Sequence, residues 1–203
     1  MSDVVRIGTP AGAPERVGID LAAAEDAARA LLEALGADLR SESLRETPRR
    51  VAASLAEMLT PKPFDATTFR NDEGYDELVI ARSIPFHSLC EHHVLPFYGV
   101  AHVGYLPGSR IIGLSKLGRV VEMYARRLQV QERMTVQIAR WLDDMLAPRG
   151  VGVVLEAEHL CMSLRGVHKS GTRTVTSALL GSVRDDARTR EEFLDLTRGT
   201  AER

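Results

Sequence analysis

Apolar residues recur at helical spacing in two early stretches. Leu21, Ala24, Ala28, Leu31, Leu32 and Leu35 form one stripe, with Asp20 placed to cap it and Gly36 to end it. Val51, Leu55, Met58 and Leu59 form a second, opened by Thr47-Pro48 as N-cap and first-turn proline and closed by Pro61 and Pro63. From Glu77 the texture changes. Residues 78–82 read as a strand, and residues 98–105 as its antiparallel partner, ended by Pro107-Gly108. Two further helices follow. One starts near Ser115 with Leu117, Val120, Val121, Tyr124 and Leu128 on one face. The next runs roughly over 131–146 with Met134, Ile138, Trp141, Leu142 and Met145 inward. Residues 151–162 and 172–183 read as a third and fourth strand. Thr189 and Glu192 have capping-box spacing for a short last helix. Helices, hairpin, helix pair, hairpin and helix make an α+β chain with an antiparallel sheet. We expect a flexible leader over 1–18, a helical region over 19–64 and one domain over 65–203.

Composition narrows this little and charge somewhat more. The chain has 203 residues, 44% hydrophobic and 27% charged, which suits one core with a helical extension. A net charge of −2 gives no global attraction to nucleic acid or an anionic membrane, so neither is expected as a partner. No apolar run approaches the ~20 residues of a membrane span, and residues 1–18 lack the apolar core of a secretory signal. Two cysteines do not make a disulfide framework. The expected location is cytoplasmic, with reduced thiols free to hold a metal; a single Cys90–Cys161 disulfide is the alternative.

The chemistry concentrates in the first hairpin connection, Ser88-Leu89-Cys90-Glu91-His92-His93, and in His159-Leu160-Cys161. Cys90 and His93 have the spacing with which a turn offers a thiolate and an imidazole to one metal. With Cys161 they make three ligands, the number a catalytic zinc takes while keeping one position open. If residues 151–162 form a strand, His159 lies on the face of Cys161. His92 and His159 would then flank the open position as groups that move protons near neutral pH. Two other readings stand beside this one. His87 supplies a fourth ligand and closes a structural site, or the cysteines are core residues and the histidines incidental.

A second cluster lies at the start of a helix, Leu114-Ser115-Lys116-Leu117-Gly118-Arg119. A hydroxyl, two cations on one face and a helix N-terminus suit a phosphate group. Arg165 lies four residues past Cys161 and could add a guanidinium. Solvated surface explains Lys116 and Arg119 equally well, and it is the simpler reading of Arg50. Glu132 could accept two hydrogen bonds from a ring N–H beside an exocyclic amine, the edge that guanine presents. A salt bridge with Arg133 is the plainer alternative.

Several of these segments occur together in one family. Cys90-Glu91-His92-His93, Pro96-Phe97-Tyr98-Gly99, His102-Val103-Gly104-Tyr105-Leu106-Pro107, Gly113-Leu114-Ser115-Lys116, Gln129-Val130-Gln131-Glu132-Arg133 and His159-Leu160-Cys161-Met162 stand in the order seen in GTP cyclohydrolase I. Thr47-Pro48-Arg49-Arg50-Val51 and Thr174-Val175-Thr176-Ser177 extend the resemblance, which runs from about Ala24 to Leu196. It implies a tunnelling fold with antiparallel sheet and flanking helices. It further implies a homodecamer with active sites at subunit boundaries, and hydrolysis of GTP to 7,8-dihydroneopterin triphosphate and formate. Zinc would be held by Cys90, His93 and Cys161. His92 and His159 would transfer protons, and Glu132 would anchor guanine. Ser115, Lys116, Arg119, Arg165 and Arg50 would hold the triphosphate. A relative that kept zinc and nucleotide binding but lost the chemistry is the alternative.

Overall fold

The structure, a computed structural model, describes residues 5–7 and 18–198. The chain divides into two compact units, Pro14–Thr60 and Met1–Ala13 with Pro61–Arg203. The first unit carries α1 (Leu21–Ala34) and α2 (Thr47–Met58). Asp20 caps α1 as expected, its carboxylate accepting from the Ala23 N–H at 3.0 Å. Gly36 ends it in the left-handed region at φ +86°, with Gly36 N–H on Glu33 O and Ala37 N–H on Leu32 O. Both bonds satisfy carbonyls that the last turn leaves open. Thr47 is the first residue of α2 rather than its cap; Glu46 holds the cap position and makes no side-chain capping bond.

The second unit is built on two sheets. The smaller orders β1 (Val5–Ile7), β2 (Ala66–Arg70) and β5 (Arg110–Ile112), all antiparallel. β1 lies within the stretch expected as a leader; the rest of that stretch, except Gly18, lies outside the described residues. The larger sheet has the order β6-β3-β4-β7-β8. Its strands are β3 (Val79–Cys90), β4 (Pro96–Leu106), β6 (Leu128–Gln129), β7 (Gly150–His159) and β8 (Arg173–Gly181). Neighbours pair antiparallel except β6, which runs parallel to the end of β3. This is the α+β architecture with an antiparallel sheet and flanking helices that the hydrophobic pattern predicts.

Two helices cover one face of the large sheet. On α3 (Leu114–Ala125), Leu117, Val120 and Val121 are fully buried. On α4 (Gln131–Leu146), Met134, Ile138 and Leu142 are. They meet Phe97, Ala101 and Val103 of β4 and Val151, Val153, Leu155 and Ala157 of β7, residues that share one face along each strand. Leu128 leaves the helix it was expected to end: α3 stops at Ala125 and Leu128 belongs to β6.

β3 is far longer than the five residues the sequence suggests. Its alternation breaks at a register shift between Ala81 and Ile84, where Ser83 takes φ +54°. The bulge inserts backbone without ending the strand, and it hides residues 84–90 from a periodicity search. Ser83 N–H donates to His102 Nδ1 at 3.4 Å, and burial holds His102 below its usual imidazole range.

The chain closes with α5 (Leu160–Ser163), α6 (Ser182–Asp185) and α7 (Ala187–Thr197). Asp186 caps α7, accepting from Thr189 N–H at 2.8 Å, so the cap lies three residues before the expected Thr189. Phe193 of α7 is fully buried against Gly152 of β7 and its register partner Gly104 of β4. A Cβ on Gly152 would lie 2.5 Å from Phe193 Cζ. Gly152→Ala is therefore expected to cost about 1–3 kcal/mol through overpacking, read as a lowered thermal midpoint. An unchanged midpoint would show that the ring shifts aside freely. No helix among the described residues is long and apolar enough to cross a membrane.

Candidate active site

The β3–β4 turn sets the first two candidate ligands. Cys90 is the last residue of β3, and its carbonyl accepts from His93 N–H at 3.3 Å and Val94 N–H at 2.8 Å. This single tight turn places residues three apart on one side, so Cys90 Sγ and His93 Nδ1 come within 3.8 Å. Val94 absorbs the reversal at φ +54°. Glu91 N–H donates to Gln129 O of β6 at 3.0 Å and Cys90 N–H to Leu95 O at 2.9 Å. Both ends of the turn are thereby fixed.

Cys161 arrives from another element. β7 ends at His159, and Cys161 sits in the single turn of α5, closed by Leu164 N–H on Leu160 O at 3.0 Å. The expectation that a strand continues to Met162 is thus corrected. The change of direction after His159 carries the thiol to the turn. The ligand atoms of Cys90, His93 and Cys161 all lie within 4.8 Å of one another. Both cysteines are free thiols, which sets aside the disulfide.

The donor set fits zinc. Tetrahedral Zn–S and Zn–N bonds of about 2.3 and 2.0 Å span an S···N edge of about 3.6 Å, close to the distance found between Cys90 and His93. Burial, and next the adjacent Cys90, hold the Cys161 thiol above its usual range. Two thiolates this close need a cation between them. His87 stands outside this group. It is three residues from Cys90 on a strand, hence on the opposite face, and it is exposed beside Glu122 of α3 and Arg126, which caps that helix.

Around these ligands is a cleft of about 230 Å³, lined also by His92, Gln129, Val130, Gln131, Glu132, His159, Met162 and Thr174. His92 is exposed at its mouth, with Nδ1 4.0 Å from Cys90 Sγ and Nε2 3.9 Å from the Glu91 carboxylate. Glu91 is paired with Arg133, which also donates to Gln129 Oε1 at 3.2 Å and so ties the turn to α4. Arg133 thus pairs with Glu91, and the carboxylate of Glu132 is exposed in the cleft. Glu132 stands in the first turn of α4, where the helix dipole favours an anion.

His159 is half-buried, its ring stacked on Phe97 at 4.6 Å and 1°. Its Nε2 lies 2.7 Å from Gln131 Oε1. Burial lowers its pKa, and the Glu132 carboxylate opposes that effect. Gln131 is buried, and the sequence marks it only as a polar residue at the start of the helix. No periodicity marks it, since its partners are on β7 and β8.

One chain therefore brings Cys90, His93, Cys161, His92, His159 and Glu132 to one cleft. It does not bring all the cations. Ser115, Lys116 and Arg119 lie in the first turns of α3 and do not line the cleft. Ser115 is inside α3 rather than its cap, which is Gly113. Arg165 follows α5, exposed, with its charge acting on Cys161. Arg50 belongs to α2 in the other unit.

Residues 24–198 match the family model described as GTP cyclohydrolase I. The GTP cyclohydrolase 1 of Aquifex aeolicus (strain VF5) is 51% identical over 183 residues, covering 90% of this chain and 100% of that protein. That of Thermobifida fusca (strain YX) is 49% identical over 199 residues, covering 96% of each. The crystal structure of an archaeosine synthase QueF-Like in the apo form aligns with 51% of this chain and 93% of its own. Its TM-score is 0.41 with 18% identity, too loose to bear on function.

Proposed function

The chain belongs to the GTP cyclohydrolase I family, and from that premise we propose that it hydrolyses GTP to 7,8-dihydroneopterin triphosphate and formate. This is the first step of pterin and tetrahydrofolate biosynthesis. The observation that carries the reading within the chain is the meeting of a Cys–His–Cys donor set with two further imidazoles and a carboxylate in one cleft.

Cys90, His93 and Cys161 would hold the zinc. When bound, it supplies a Lewis acid that makes water a competent nucleophile at neutral pH. The rest falls to side chains. Glu132 accepts from the guanine ring N–H and the exocyclic amine, which sets the imidazole carbon toward the metal group. His92 and His159 move the protons that ring opening and formate release require. Ser115, Lys116, Arg119, Arg165 and Arg50 hold the triphosphate and act by positioning, being remote from the reacting carbon. Ser115, Lys116 and Arg119 stand outside the cleft of their own chain. This favours a site completed at a subunit boundary, in a homodecamer of the tunnelling fold. We place the enzyme in the cytoplasm, where both thiols stay reduced.

The test is formate release from GTP by the zinc-loaded protein, together with a product that fluoresces as neopterin after oxidation and dephosphorylation. Both are expected. A zinc-loaded protein that releases no formate would instead be a binding assembly without the chemistry.

A further inference from the structure

We propose that Gln131 is a positioning residue that fixes the ring orientation and the tautomer of His159. The inference rests on the reading of His159 as a proton-transfer group.

The amide of Gln131 has only one way to face. Its Nε2 donates to Leu155 O at 3.2 Å and Thr174 O at 2.9 Å, and both carbonyls only accept. Nε2 also lies 3.1 Å from Thr176 Oγ1. The hydroxyls continue the order. Thr135 Oγ1 donates to Gln131 O at 2.7 Å, so in the 2.7 Å contact between Thr135 and Thr176 the proton comes from Thr176. Thr176 Oγ1 is then left to accept, sharing one of the two Nε2 protons with a carbonyl. Every bond has a single direction, and flipping the amide would set an oxygen against two carbonyls. Gln131 is 1% exposed, so water cannot repair such a flip.

Gln131 Oε1 is therefore an acceptor, and the 2.7 Å contact with His159 Nε2 is a donation from the ring. His159 carries its Nε2 proton whether the ring is neutral or charged. Nδ1 is the ring atom left to take up and give up a proton. Stacking on Phe97, itself fully buried, holds the plane of the ring while Gln131 holds its rotation. The strength of the arrangement comes from its supports: α4 supplies Gln131 and Thr135, β7 supplies His159 and Leu155, and β8 supplies Thr174 and Thr176. A neutral imidazole in the wrong tautomer would offer a proton where an acceptor is needed.

The experiment uses the zinc-loaded full chain with ¹⁵N-labelled histidine, observed by magic-angle-spinning NMR, with His159 assigned by its loss in His159→Gln. The wild-type ring is expected to show a protonated Nε2 and, when neutral, a bare Nδ1. Gln131→Met is expected to give mixed tautomers. It should lower kcat for GTP roughly ten- to a hundredfold, the range for residues that orient an active group. Its KM for GTP and its zinc content should stay near wild type, a split that a general loss of structure would not give. Thr176→Val, which removes one support of the amide, is expected to show the same pattern to a smaller degree, and it carries the test if Gln131→Met does not fold. A neutral His159 protonated on Nδ1, or a kcat unchanged in the folded variants, overturns the assignment. His159→Gln turning over GTP at the wild-type rate would instead remove His159 from the reaction, whatever its tautomer.

Discussion

Removing the metal, or replacing Cys161 with Ser, is expected to lower formate release from GTP by at least about a thousandfold. A Lewis acid at the reacting centre contributes several kcal/mol of barrier reduction, and about 4 kcal/mol corresponds to three powers of ten. The geometry says why the loss should be so large. Cys90, His93 and Cys161 come from two segments whose ligand atoms converge within 4.8 Å, so losing the Cys161 sulfur leaves one thiolate and one imidazole from a single turn. Serine is nearly isosteric with cysteine but a poorer zinc ligand, so the fold should survive and metal content should fall. Zinc added back should restore the chelated wild type and leave Cys161→Ser largely inactive. Elemental analysis beside the formate assay reads both. Full turnover by protein stripped of metal would end the zinc assignment.

Glu132→Gln is expected to lower kcat/KM for GTP by about a hundred- to ten-thousandfold. Two hydrogen bonds to a carboxylate contribute roughly 1.5–3 kcal/mol each. The amide keeps one acceptor and turns an N–H toward a ring N–H, so one bond becomes a clash of donors. The side chain is exposed at the start of α4, so thermal stability and zinc content should barely change. Selectivity is the sharper readout. GTP should lose its advantage over the analogue without the exocyclic amine, because with that analogue the amide can turn its oxygen to the ring N–H and meet no second donor. If Glu132→Gln discriminates as well as wild type, guanine is anchored elsewhere.

Both predictions concern residues that could be singled out along the chain, but for different reasons. Cys90 and His93 are three apart and local, so one turn is enough to join them. Cys161 joined the set because only two cysteines exist, although the sequence placed it on a strand and the structure places it in the short turn of α5. The three side chains still meet despite the different local structure, because the change of direction after His159 delivers the thiol. Arg133 illustrates the opposite. The sequence left it as a plain partner for Glu132, whereas the structure pairs it with Glu91 and leaves Glu132 to the cleft.

Sequence alone determined the helices α1 to α4 and the buried faces of α3 and α4, since a 3.6-residue period shows directly which side faces the core; in α1 the stripe of Leu21, Leu31 and Leu35 is exposed instead. It determined the stop at Gly36, because a left-handed residue there favours glycine. It also picked out Cys90, His93 and Cys161, whose donor atoms the structure brings together, because thiols and imidazoles are few and chemically distinct. Tertiary structure decided the extent of β3, whose bulge at Ser83 interrupts the alternation. It decided which face His87 occupies, and therefore that the group of converging donor atoms has three members and not four. It decided the role of Gln131, whose partners on β8 lie 43 and 45 residues away. A glutamine carries no sign of its direction in the sequence. That direction exists only once two carbonyls and a hydroxyl from separate strands surround its amide.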